Sequence, residues 1–172
     1  MNVTFHAIAG IATAAALSFK PNDIKDSSIS SAIIKCLAGF VIGISIHGVL
    51  DFLPHEYPFR PAFDVLLALS LLTAAFVLTQ KQNRFLLTVC FLGQIFPDLV
   101  DLGPAILNKY FGLALLFSGK IFPWHWQKFS GSIYDGSRRI ESMLYHATLL
   151  LSSGCLLYFK RKQFFNFGKV SR

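Results

Sequence analysis

Apolar residues run through this chain in long blocks separated by short polar connections. Five blocks, 1–19, 31–53, 62–80, 84–107 and 143–159, approach the roughly 20 residues that a helix needs to cross a bilayer. The first carries small residues at 12–16 of the kind found at signal-peptide cleavage sites, but no basic stretch precedes it, so it is read as a retained helix. A sixth apolar stretch, 110–122, is too short to span and predicts a re-entrant or interfacial helix before the last span. The expected fold is therefore all-α, a polytopic membrane helical bundle of about five transmembrane helices. It forms one domain over 1–160, followed by a basic cytoplasmic tail, 161–172.

Composition points the same way. Hydrophobic residues make up 53% of the 172, and charged residues 15%, against roughly 25% in soluble domains. The net charge of +7 does not imply nucleic acid, because the basic residues sit in loops beside the spans and in the tail, where anionic lipid head groups are their partners. Ten of the sixteen Lys and Arg fall on the side of the connections near 20–35 and 81–84 and of the tail. The positive-inside rule then places that side in the cytoplasm and the N-terminus outside. Cys36, Cys90 and Cys155 lie far apart within apolar blocks and read as small packing residues.

The remaining polar residues collect on the other side. His6, His47, His55, His125 and His146, all five histidines of the chain, fall toward the outer face, as do Asp51, Asp98, Asp101 and Glu141. Ionisable groups at membrane depth are costly and generally functional. In HGVLDFLPHEYP (47–58), His47 and Asp51 are four residues apart and so share a helix face, below which Gly39 and Gly43 leave room for another helix. Pro54 ends or bends that helix and would return His55 to the same centre. In FPDLVDLGP (96–104), Asp98 and Asp101 share a face, and two carboxylates side by side call for a positive partner. Imidazoles with carboxylates suit a borderline divalent cation, zinc first.

The expected metal ligands are accordingly His47, Asp51, His55, Asp98, Asp101 and His146, with His6, His125 and Glu141 as further candidates. Asp51, Asp98 and Glu141 are the candidates for a catalytic role. Trp124 and Trp126 are expected to anchor the chain at the interface. No nucleotide-binding glycine loop and no GxSxG elbow is present.

At HGVLDFLPHEYP, PDLVD and YHATLLL (145–151) the sequence resembles the bacterial membrane-bound predicted metal-dependent hydrolases, distant relatives of zinc-dependent phospholipase C. His47, Asp51 and His55 resemble the HxxxD…H element of the phospholipase. Asp98 and Asp101 match the family's PDxD motif, His146 sits where the family has a histidine opening a hydrophobic helix, and His6 where it often has an early histidine. The resemblance implies a bacterial cytoplasmic-membrane enzyme that uses a metal-activated water on a phosphoester or lipid head group. The rival reading is a non-catalytic membrane protein with a structural metal site or a polar network that locks its helices. A metal or proton pathway is disfavoured, because no ionisable residue lies midway along a span.

Overall fold

The computed structural model describes residues 1–20, 29–112 and 119–166. The described residues form six α-helices: α1 (Val3–Leu17), α2 (Ile29–Phe52), α3 (Pro61–Leu78), α4 (Lys81–Asp101), α5 (Gly103–Phe111) and α6 (Arg139–Phe164). A 3-10 turn, Pro123–His125, sits in the connection before α6. Among the described residues the only β pairings are two isolated bridges, His55 with Ser132 and Thr79 with Phe165. The expected all-helical bundle is the fold observed.

The expected number of spans is revised. α2, α3 and α6 are each long and apolar enough to cross a membrane, and α4 with α5, bent by 61°, makes a fourth if the pair is one span. α1 has 15 residues, a length of about 22 Å against the roughly 30 Å hydrocarbon core. Eleven of those residues are buried, and α1 packs against α2, α3, α4 and α6. It is the hub of the bundle, and its alanines at 7, 9, 12, 14 and 15 let the surrounding helices come close. Around it, Ile33, Ile34, Leu37 and Val41 of α2, Leu66 and Val77 of α3, and Leu144, Leu151 and Phe159 of α6 face outward. Span-length helices clothed in large exposed aliphatics fit a lipid surround. Of the short helix expected over 110–122, residues 113–118 lie outside those described; helix α5 ends before them at Gly112, which takes the left-handed conformation at φ 64°.

Two features set the frame for the polar end. α2 and α4 touch backbone to backbone: a Cβ on Gly43 would lie 2.9 Å from the Cys90 carbonyl oxygen, and one on Gly93 would lie 2.4 Å from that of Phe40. The N-terminus of α1 is held by Asp64 in the first turn of α3, whose carboxylate accepts from the Val3 and Thr4 N–H groups at 2.7 and 3.0 Å. These are donors that a helix start leaves without intrahelical partners. At the opposite, basic end, Asn83 accepts from Phe19 N–H, and Gln163 donates to the Ser18 carbonyl.

Candidate metal centre

Four side chains from three parts of the chain converge at the polar end. His47 and Asp51 come from the last turns of α2, Asp98 from the last turn of α4, and His125 from the 3-10 turn. One ligand atom from each lies within 4.8 Å of the others. His47 Nε2 is 3.2 Å from Asp51 Oδ2, 3.8 Å from Asp98 Oδ1 and 3.3 Å from His125 Nε2. His125 Nε2 is 3.4 Å from Asp51 Oδ2 and 3.2 Å from Asp98 Oδ1. Four ligands at zinc distances of 2.0–2.1 Å around a tetrahedron would be spaced about 3.3 Å apart, so the observed spacings fit a single small cation.

Protons are the second test of that fit. His47 Nδ1 lies 2.5 Å from the Gln94 carbonyl oxygen, which can only accept, so Nδ1 carries a hydrogen. His125 Nδ1 lies 2.7 Å from Asp101 Oδ2 and likewise donates. In the neutral imidazoles each Nε2 is then a bare lone pair, and the two point at each other across 3.3 Å with two carboxylate oxygens beside them. Four acceptors facing one point are mutually repulsive unless a cation lies between them. The outer contacts match those of metal-bound histidines, whose far ring nitrogen donates to a carbonyl or carboxylate. A buried His/Asp cluster able to hold a metal ion is therefore present.

A proton on His125 is the alternative cation. Burial alone would depress this imidazole, but its hydrogen bonds to Asp51, Asp98 and Asp101 outweigh burial and push it up to about 10. An imidazolium would donate Nε2–H toward Asp51 and Asp98 and offset part of their charge.

The other sequence candidates divide by position. His6, from α1, places Nε2 3.2 Å from Asp51 Oδ1 and stacks its ring on His47 at 4.2 Å, so it holds Asp51 from the far side. The Met1 backbone nitrogen is also 2.5 Å from that oxygen. Asp101 does not face the centre. Its Oδ1 accepts from Ile121 N–H at 2.8 Å and its Oδ2 from Phe122 N–H at 2.9 Å as well as from His125, so it shapes and orients the turn that carries His125.

His55, His146 and Glu141 are not brought to the cluster. After Pro54 the chain runs extended instead of folding back, and His55 pairs with the 131–133 segment, its N–H bonded to the Gly131 carbonyl and its Nδ1 to the Leu53 carbonyl. Burial lowers its imidazole to about 4. His146 stacks on Phe5 at 4.0 Å and puts Nδ1 3.5 Å from Ser142 Oγ, inside the contact of α1 with α6. Glu141 is half-buried in the first turn of α6 and pairs with Arg138, the residue that precedes the helix.

The cluster opens into a cavity of about 800 Å³, whose lining includes Asp51, Asp98, His125, Lys120 and, farther along the same wall system, Tyr57 and Ser132. Lys120 Nζ donates to the His125 carbonyl at 2.7 Å, which sets a cation in the lining of the cavity that also holds Asp51 and Asp98. Behind the centre, Trp124 packs on Gly48, where a Cβ would come within 2.7 Å of the indole ring. The tryptophan thus packs on α2 next to His47, its ring 6.3 Å from the imidazole, a part beyond the interfacial anchoring expected of it. Three contributions had no sequence signal: the Gln94 carbonyl, the positioning part played by Asp101, and Lys120. No protein-family model, curated protein or solved structure matches the chain.

Proposed function

We propose that the protein is a membrane-embedded, metal-dependent hydrolase acting on phosphoesters at the outer membrane face. The observation that supports this reading most is the convergence of four acceptor atoms, two with their tautomers set by outer partners, at the head of an 800 Å³ cavity. His47, Asp51, Asp98 and His125 would hold the ion, and their mixed nitrogen and oxygen donors suit zinc. When bound, a divalent ion supplies Lewis-acid polarisation of a phosphoryl oxygen and activates water near neutral pH. The chain's own groups supply the rest. Asp98 has the most exposed carboxylate of the cluster, with 30% of its side chain accessible, and is placed to take a proton from water entering the cavity. Lys120 offsets charge on the phosphoryl group, and His6 and Asp101 keep Asp51 and His125 in position.

The test is hydrolysis of bis(p-nitrophenyl) phosphate and p-nitrophenyl phosphate by detergent-purified protein, with added zinc or manganese and with chelator. Turnover that chelator abolishes, that returning metal restores and that Asp98→Asn removes supports the reading. No turnover on either ester by metal-loaded protein counts against it. The raised pKa of His125 favours a second reading, in which an imidazolium locks the three chain segments as a structural polar network. In that case the purified protein neither carries nor takes up a divalent ion. Outward orientation rests on the distribution of Lys and Arg, and is tested by whether a membrane-impermeant reagent reaches an introduced surface cysteine at position 134 in intact cells.

A further inference from the structure

The wall of the cavity away from the cluster carries a hydroxyl group network with an unusual balance of donors. Tyr57 OH lies 2.8 Å from Ser132 Oγ and 3.2 Å from His55 Nε2; Ser132 Oγ is 3.3 Å from the same nitrogen, and Ser130 Oγ donates to Ser132 Oγ at 3.1 Å. His55 Nδ1–H is committed to the Leu53 carbonyl, so Nε2 of the neutral ring can only accept. Ser130 spends its proton on Ser132. The Tyr57 and Ser132 protons are then spent within the wall, on each other, on His55 or on the neighbouring Tyr134 hydroxyl. What the network has left for the cavity is lone pairs. Beside them the Tyr57 and Tyr134 rings stack at 5.4 Å and 10°, adding π faces that attract cations.

We propose that this wall binds the amine end of a substrate whose phosphate end sits at the metal cluster, so that the preferred class is a phosphoester of a primary amino alcohol. The inference rests on the hydrolase reading and deepens it. A wall offering acceptors and π faces selects a group rich in N–H donors and positive charge. A primary ammonium has three N–H donors to give, whereas a trimethylated one has none and leaves the hydroxyl lone pairs unpaired. The same chemistry occurs in a soluble aminoalkyl phosphate and in an aminophospholipid head group.

The test is equilibrium binding to the detergent-purified, zinc-loaded full chain. Inorganic phosphate reports the cluster alone, and O-phosphoethanolamine, phosphocholine and glycerol 3-phosphate report the wall. O-Phosphoethanolamine is expected to bind about tenfold tighter than phosphate and about tenfold tighter than phosphocholine, the effect of roughly one good hydrogen bond. Tyr57→Phe with Ser132→Ala should reduce its affinity to that of phosphate and leave phosphate binding unchanged. Nanodiscs of phosphatidylethanolamine, compared with phosphatidylglycerol, separate the lipid source from the soluble one, and the preference in either format supports the proposal. Metal-dependent phosphate binding with no amine preference in both formats would overturn the proposal and leave the hydrolase reading standing. Phosphocholine binding as tightly as phosphoethanolamine overturns it too, and failure of every phosphate to bind zinc-loaded protein overturns both.

Discussion

Replacing Asp101 by asparagine separates a positioning residue from a ligand. The Asp101 side chain is fully buried and accepts three hydrogen bonds, from Ile121 N–H, Phe122 N–H and His125 Nδ1–H. A carboxamide of the same shape has one oxygen. With that oxygen toward Phe122 and His125, the new NH₂ abuts Ile121 N–H and one buried backbone donor loses its acceptor, a cost of about 1–3 kcal/mol. The reverse orientation sets NH₂ against both Phe122 N–H and His125 Nδ1–H, so the first is favoured and His125 keeps its tautomer. What His125 loses is a charged partner, and removing such a partner lowers metal affinity by about 10- to 100-fold, or about 1.4–2.7 kcal/mol. Thermal melting without metal reads the first effect, and zinc titration against a competing chelator reads the second. Wild-type zinc affinity in Asp101→Asn refutes the positioning argument. Abolished binding in a folded variant refutes it from the other side, because Asp101 would then be a ligand.

Four further outcomes follow from the packing and the charges. Gly43→Ala drives a Cβ against the Cys90 carbonyl and the Gln94 nitrogen, and should cost about 1–3 kcal/mol in a melting experiment while loosening zinc binding at His47 one turn on. Gly154→Ala on α6 meets nothing within 4 Å and should be neutral or stabilising by up to about 1 kcal/mol. His55 is buried and neutral in the fold, with a pKa of about 4 against 6.5 unperturbed. The unfolded chain therefore takes up this proton first as pH falls. Stability from this group is complete above about pH 6.5 and declines toward pH 4, by at most about 3 kcal/mol at 1.36 kcal/mol per pH unit, and melting of His55→Gln should show a correspondingly shallower dependence. Glu141→Gln, which removes only the carboxylate paired with Arg138, should leave zinc affinity unchanged in the chelator titration.

The sequence made some of this legible and hid the rest for identifiable reasons. His47 and Asp51 could be paired because helical periodicity alone puts i and i+4 on one face, and the Gly39–Gly43 pattern on that face does receive α4. Asp98 was findable from its place beside a proline near a span end. His125 ranked low because it sits in an irregular connection, where no period relates it to other residues; its approach is set by two backbone N–H groups that dock on Asp101. His55 misled because Pro54 is compatible with either a return or an extended exit, and the chain takes the exit through backbone pairing with residues 131–133. α1 is shorter than the span expected of it, and a hydrophobic run reads the same whether lipid or protein surrounds it. Only its length and its alanine content distinguish a buried hub from a lipid-facing helix.

The central claim is that His47, Asp51, Asp98 and His125 form one metal site, and the direct measurement is the metal content of the detergent-purified protein by elemental analysis beside His47→Ala and Asp98→Asn. The account predicts about one zinc or manganese per chain in the wild type, as a single four-ligand site requires, and loss of that metal in both variants, with melting curves showing each still folded. Wild-type protein that is metal-free and takes up no added divalent ion contradicts the account and leaves the imidazolium of His125 as the cation of the cluster.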